Sequence, residues 1–177
     1  MTWTDDLLFQ LDFYWDRMLM PRLEGLTDEE YLWEPVEGCW SIRPQEDGTG
    51  MIDWSFPPPE PPPFTTIAWR MAHLSVLVLG MRASSHFGDG SLTIGTAQWP
   101  LTAAEGLESL RRYHAEWRNG LATLDDASMA EPVGEAEGPW AEYPMSTLVL
   151  HLNREIFHHG AEIALLRDLY RDGFRKG

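Results

Sequence analysis

The chain has 177 residues, of which 28 are acidic and 13 basic, and its formal net charge is −15 at neutral pH. Binding to nucleic acid or to an anionic membrane surface rests on Lys and Arg neutralising phosphates, so this charge argues against both roles. A hydrophobic fraction of 44% is enough for a folded core. We expect residues 1–177 to form a single domain.

The cysteine content and the lengths of the apolar runs predict the cellular compartment of the protein. Cys39 is the only cysteine, so no intramolecular disulfide can form, which is typical of proteins in a reducing compartment. Residues 1–6 lack the basic and apolar regions of a signal peptide, and no run of about 18 apolar residues could span a membrane. These features predict a cytoplasmic protein without a membrane partner.

Helical periodicity and capping residues predict four long helices. Thr4 precedes two acids and is expected to cap the first helix, which should end near Met20 because Pro21 cannot continue it. The other three helices are predicted to start at Thr65 or Thr66 and end near Phe87, to start at Thr102 with Glu105 closing a capping box, and to run from about Pro144 to Tyr170.

The connections between these helices are long. Thr27 and Glu30 predict a short helix that ends before Pro35, and residues 36–63 are expected to be a loop. The run Pro57–Pro63 is predicted to be a stiff connector, and a partner that reads proline-rich segments is the alternative. No strand pattern competes, so the predicted fold is an all-α, antiparallel-type four-helix bundle with long loops and at least one crossover connection.

Polar residues interrupt the apolar stripe of the last helix. Glu155, His159 and Glu162 occupy the middle of a seam whose other members are Leu148, Leu152, Leu166 and Leu169. Glu155 and His159 are four residues apart, so both can face one divalent cation. Burying such groups is costly unless they pair or bind an ion. A metal site and a simple Glu–His ion pair are therefore both open.

A third ligand would have to come from another helix. His73 is the best candidate because it lies in an otherwise apolar helical stretch, although a histidine satisfied within the core is the alternative. Pairings of His151 with Glu155 or with His158 are also conceivable at helical spacing. His86 and His114 have no partner at ligand spacing and are predicted to lie at the surface.

Cys39 precedes Trp40 in a glycine-containing loop and has no base at a fixed spacing. A buried structural thiol is therefore expected, not a nucleophile. If that loop folds over the end of the bundle, Trp40 and Arg43 could line the mouth of the site.

Three segments of the chain resemble DinB-like proteins, in the order found in that family. They are residues 26–35 with Gly38–Ile42, residues 66–74, and residues 155–166. The resemblance covers most of the chain and implies a four-helix bundle that holds a divalent metal, often zinc or nickel. Family members commonly use three histidines, one from the second helix and two from a His-x-x-x-His pair in the last.

This sequence departs from that pattern because Glu155 stands where the first histidine of the pair is usual. The variant resembles the mycothiol-dependent maleylpyruvate isomerase branch, in which a His, Glu, His set binds zinc. For this chain, the resemblance implies that the metal ligands are His73, Glu155 and His159. Glu162 stands where many members have Gln and is expected to orient a ligand or an activated water.

The resemblance implies a metal-dependent thiol S-transferase or isomerase. Zinc is the expected metal, with nickel or iron also compatible, and it would activate a low-molecular-weight thiol such as mycothiol or bacillithiol toward a small electrophile. Because family bundles often pair, a homodimer is a further expectation.

Two other functions stay open at this point. One is metal-assisted hydrolysis with Glu162 as the catalytic general base, and the other is a non-catalytic metal-binding or dimeric bundle. The two-His, one-carboxylate set also occurs in iron oxygenases.

Overall fold

Four long helices form the body of the protein, as expected for the predicted all-α bundle. The computed structural model describes residues 2–174. The first long helix comprises Trp3–Tyr14, a π-helical turn at Trp15–Leu19 and Met20–Leu23; the second comprises Ile67–Ala72, π-helical His73–Gly80 and Met81–Phe87; the third is Ala103–Leu121; the fourth is Met145–Leu169, followed by π-helical Tyr170–Phe174.

Shorter elements lie in the connections. They are the helices Asp28–Tyr31 and Asp126–Ala130, the 3₁₀ segment Glu135–Trp140, and the strands β1 (Ile42–Pro44) and β2 (Gly50–Ile52). The Pro57–Pro63 run follows β2 and is mostly exposed, and its predicted role as a connector stays a prediction. Among residues 2–174, no helix is long and apolar enough to cross a bilayer.

The first and fourth helices run in the same direction. Tyr14 Oη donates to the carbonyl of Phe157 at 3.2 Å. About two turns further along both helices, Arg22 donates to the carbonyl of Ala164 at 3.0 Å. Buried Asn153 also donates from its side-chain amide to the carbonyl of Leu7 at 3.3 Å. These contacts advance together along both helices, so the first and last helices are parallel neighbours.

The second and third helices are also parallel to each other. Ser75 and Ser109 hydroxyls lie 3.1 Å apart, and further along the rings of Phe87 and Trp117 pack at 5.4 Å. Two neighbouring parallel helices need a connection that returns along the bundle, and residues 88–102 provide it. The predicted crossover connection is therefore present.

Most predicted caps are confirmed, but the first is wrong. The Thr27, Thr66 and Thr102 side chains each accept from the backbone N–H three residues later. At the start of the chain Thr2, not Thr4, is the N-cap, and Thr4 is buried inside the helix. Thr2 has Asp5 three residues later to complete a reciprocal capping box, whereas the corresponding residue for Thr4 is a leucine.

The first helix continues through Pro21 to Leu23, contrary to the predicted end near Met20. The π-helical turn Trp15–Leu19 ends two residues before the proline, which occupies the first turn of the α-helical segment Met20–Leu23. A widened turn removes the need for an N–H at that position, and a proline is tolerated in a first turn. The helix therefore changes its winding where it would otherwise break.

A short hairpin replaces part of the predicted loop. Strands β1 and β2 pair antiparallel, with Ile42 opposite Ile52. Gly48 adopts a positive φ of 82° in the turn, and a Cβ at Gly50 would lie 2.3 Å from the carbonyl oxygen of Trp99, so both glycines are required there. Strands of three residues are too short for a period-2 pattern to be detected in the sequence.

His114 is buried in the bundle, so its predicted surface position is wrong. Its ring stacks on Trp15 with centroids 3.6 Å apart, and its Nε2 has no hydrogen-bond partner in the structure. The buried face of this helix was predicted from its leucines, tyrosine and tryptophan alone. His114 was therefore left out, although its neutral ring packs like an aromatic side chain. Burial lowers the pKa of His114 to about 4.

We expect His114 to make the fold acid-sensitive. The unfolded chain takes up a proton at His114 below pH 6.5, whereas the folded chain does so only near pH 4. Stability is therefore full above pH 6.5, and about 2–3 kcal/mol is lost as the pH falls to about 4.5. Urea unfolding of the wild type and of His114→Phe at both pH values, in chelator, measures this. Equal losses in the two proteins would contradict it.

Candidate metal centre

The second and fourth helices meet where the predicted ligands lie. The second helix runs antiparallel to the fourth, because Arg70 pairs with Glu162 while His73, one turn later, faces Glu155. The seam leucines Leu148, Leu152 and Leu166 are buried as predicted. The three polar seam residues lie at the margin of the core, toward the second helix.

His73, Glu155 and His159 converge on one point. Glu155 Oε2 lies 3.5 Å from His73 Nε2 and 3.5 Å from His159 Nε2. One donor atom from each residue lies within 4.8 Å of the other two. The three side chains are 17–21% exposed, so the site is enclosed but within reach of a small molecule.

These separations fit a shared cation better than direct pairing. A charge-assisted hydrogen bond between imidazole and carboxylate is about 2.7–2.9 Å long. Zinc-to-ligand distances of about 2.0–2.1 Å place neighbouring corners of a tetrahedron about 3.4 Å apart. Both Glu155–imidazole distances, at 3.5 Å, match the edge of such a tetrahedron.

The tautomer of His159 points to the same conclusion. His159 Nδ1 lies 2.7 Å from Glu162 Oε2, and a carboxylate can only accept, so Nδ1 carries the proton. Nε2 of the neutral ring then presents a lone pair to Glu155 Oε2, which is also an acceptor. Two facing acceptors repel unless a cation lies between them, so the donor set fits a divalent metal.

The protonation states at neutral pH also suit metal binding. Burial lowers the pKa of His159 to about 4, with the neighbouring His73 acting in the same direction. The polar contact with the His73 ring lowers the pKa of Glu155 to about 2, against the effect of burial. The ring of His159 is therefore neutral and the Glu155 carboxylate ionised at pH 7, which are the forms that coordinate a metal.

Comparison with known protein families agrees with this geometry. The family model of the DinB superfamily matches residues 10–163, a span that includes His73, Glu155, His159 and Glu162. The chain belongs to the DinB superfamily. Searches of curated proteins and of solved structures found no match. Superfamily membership and the His/Glu cluster together establish a candidate metal-binding site in a DinB bundle.

Two residues that support the DinB site were missed from the sequence. Arg70, largely buried, contacts Glu162 Oε2, the same oxygen that accepts from His159. The Trp69 ring stacks on His73 at 5.1 Å between centroids, and its Nε1–H donates to the carbonyl of Asp53 at 2.9 Å. One sequence feature could have identified Arg70. It lies three residues before His73, on the same face of a helix that is otherwise apolar.

The remaining histidines lie outside the trio. His151 Nδ1 is 3.6 Å from Glu155 Oε1, the carboxylate oxygen that points away from His73. His158 is 63% exposed and contacts Glu162. His158, His159 and Glu162 form a second compact group, but there the Glu162 contact is made by protonated Nδ1 of His159.

His86 is also not a surface residue, contrary to the prediction. Its side chain is 7% exposed, and its Nε2 lies 3.1 Å from Glu137 Oε1. The partner is in the connection before the fourth helix, far away in sequence, which is why spacing could not predict it.

The loop before the second helix reaches the site through Trp40. The Trp40 and Trp69 rings lie 6.1 Å apart, so Trp40 packs against the tryptophan that stacks on His73. Arg43 is instead bound to Glu34 and Asp53. Cys39 is buried, its thiol donates to the carbonyl of Val36, and burial raises its pKa, which agrees with a structural thiol.

Proposed function

We propose that His73, Glu155 and His159 hold a divalent cation, with zinc as the first choice and nickel or iron as alternatives. We further propose that the protein is a metal-dependent S-transferase or isomerase that uses a low-molecular-weight thiol such as mycothiol. The observation that supports a bound cation most is the 3.5 Å separation of two acceptor atoms, His159 Nε2 and Glu155 Oε2. The DinB membership adds to it.

When bound, such a cation lowers the pKa of a thiol or a water that reaches it. Three protein donors suit a reactive site, since a closed structural zinc site takes four. The partial exposure of the trio supports access for a thiol and an electrophile. The proposed partners are therefore these two small molecules, in the cytoplasm, and a homodimer stays an expectation.

We assign Glu162 a positioning role. Its Oε2 accepts from His159 Nδ1 and contacts Arg70, and its Oε1 lies 3.3 Å from His158 Nε2. A carboxylate engaged on both oxygens is suited to holding the His159 tautomer. Its alternative role as a general base for hydrolysis stays a prediction.

Glu162→Ala is expected to weaken metal affinity by about 10- to 100-fold, because removing a partner that orients a ligating histidine has that effect. Competition with a chromophoric zinc chelator measures the affinity. Glu142→Ala, which removes an exposed carboxylate in the preceding connection, is the matched control and should bind as the wild type does. Equal affinity in all three proteins would remove the positioning role.

Thiol transfer is tested with mycothiol and 1-chloro-2,4-dinitrobenzene. The sulfur–carbon bond forms, the carbon–chlorine bond breaks, chloride leaves and the thiol proton passes to solvent. We expect the zinc-loaded wild type and His158→Ala to accelerate the reaction and His73→Ala to give only the background rate. Zinc-loaded protein without activity toward this or a panel of other electrophiles would favour the non-catalytic bundle.

A further inference from the structure

A cavity of about 440 Å³ lies against the part of the fourth helix that precedes Glu155. Its walls come from three parts of the fold: Arg82 of the second helix, Trp140 and Tyr143 of the connection before the fourth helix, and His151 and Arg154 of the fourth helix. A cavity of this size is within the range that holds a small organic ligand.

One proposed metal ligand, Glu155, contacts two residues that line the cavity. Glu155 Oε2 faces the two imidazoles, whereas its Oε1 lies 3.6 Å from His151 Nδ1 and 3.9 Å from Arg154 Nη2. Both residues on the Oε1 side line the cavity. The side chains of His151 and Arg154 therefore connect the cavity lining to Glu155, which does not itself line the cavity.

The charge of the lining is opposite to that of the whole protein. The net charge is −15, yet the cavity presents two guanidinium groups. Its one carboxylate, Glu137, is already bound by His86 and by Arg82. Arg154 is 70% exposed, and its Nη2 contacts the ring nitrogen of His151 at 2.6 Å, so its other donors can face a ligand.

The rest of the lining is apolar and aromatic. Trp140 and Tyr143 lie edge to face at 5.4 Å, and both are about half exposed, with Val133 and Leu148 beneath. Exposed aromatic rings beside an arginine are the combination that holds a carboxylate on an apolar body.

We propose that this cavity binds a small organic anion, a carboxylate carried on an aromatic or aliphatic body. Arg154 binds the carboxylate, and Trp140 packs on the body. This binding does not depend on the proposed metal chemistry.

Titration calorimetry with 3-phenylpropionate tests the binding, with 3-phenylpropionamide as the uncharged equivalent. We expect the acid to bind the wild type and the amide to bind at least tenfold more weakly. Arg154→Ala should weaken the acid by about 10- to 100-fold, as for a lost hydrogen bond to a charged group. Trp140→Ala should weaken the acid and the amide by a similar factor.

Matched controls are Arg171→Ala and Trp3→Ala, which remove equally exposed side chains on other surfaces and should bind as the wild type does. All five proteins are measured with zinc and with chelator, and their zinc content is determined. Binding of the acid that is unchanged in Arg154→Ala, or absent in the wild type, overturns the proposal. Binding that needs zinc but not Arg154 assigns the anion to the metal and overturns it as well.

The same samples separate this inference from the proposed function. Arg154-dependent binding in a protein that takes up no zinc would keep the cavity assignment and end the metal-dependent enzyme. Zinc uptake without binding of the acid would keep the proposed metal-dependent function and end the cavity assignment.

Discussion

His73→Ala and His159→Ala are each expected to abolish metal uptake, whereas the wild type should carry about one zinc or nickel per chain. Each substitution removes one of three donors that face a common point, with Glu155 Oε2 lying 3.5 Å from both imidazoles. Two remaining donors cannot hold a catalytic-type site, which takes three protein ligands. Elemental analysis of protein purified without a metal-binding tag measures the content.

His158→Ala is the matched control for that experiment. It removes the adjacent imidazole, which is largely exposed and directed at Glu162, and should keep the metal. Loss of metal in His158→Ala with retention in His73→Ala would place the ion in the second group, His158, His159 and Glu162. No metal in the wild type after incubation with zinc would leave Glu155 and His159 as an ion pair.

Glu30→Gln is expected to destabilise the fold by about 3 kcal/mol, since removing one member of a buried ion pair leaves the other charge without a partner. Arg167 binds Glu30 through two hydrogen bonds of 2.7 and 3.1 Å, and the two side chains are only 16% and 7% exposed. Arg167 also donates to the carbonyl of Glu24, at 2.9 Å. This cluster ties the fourth helix to the chain that leaves the first. Urea unfolding in chelator measures the loss.

The control for Glu30→Gln is Glu116→Gln, the same chemical change in an exposed pair. Glu116 binds Arg112 one helical turn away, with side-chain exposures of 44% and 66%. Such surface pairs contribute about 0–1 kcal/mol, so the variant should unfold nearly as the wild type does. Similar losses in both variants would mean that the Arg167 cluster does not stabilise the fold.

Local chemistry made much of this fold predictable. Thr27, Thr66 and Thr102 start their helices because a hydroxyl accepts from an unpaired N–H three residues on, which depends only on neighbouring residues. Pro21 and the hairpin were harder, because a π-helical turn and two strands of three residues leave no periodic trace. His114 was misplaced because a buried neutral imidazole has no pattern of its own.

For the site, the spacing of Glu155 and His159 was enough to place them on one helical face in an apolar seam, because residues i and i+4 lie one turn apart in a helix. His73 was predicted as a third ligand because burying a polar side chain without a partner in an apolar helix is unfavourable in free energy. The tertiary structure was needed to show that these three residues meet, that Glu162 contacts Arg70, and that Arg154 and Trp140 line one cavity. Those contacts join residues far apart in the chain, and they depend on how the helices pack, which spacing within one helix cannot encode.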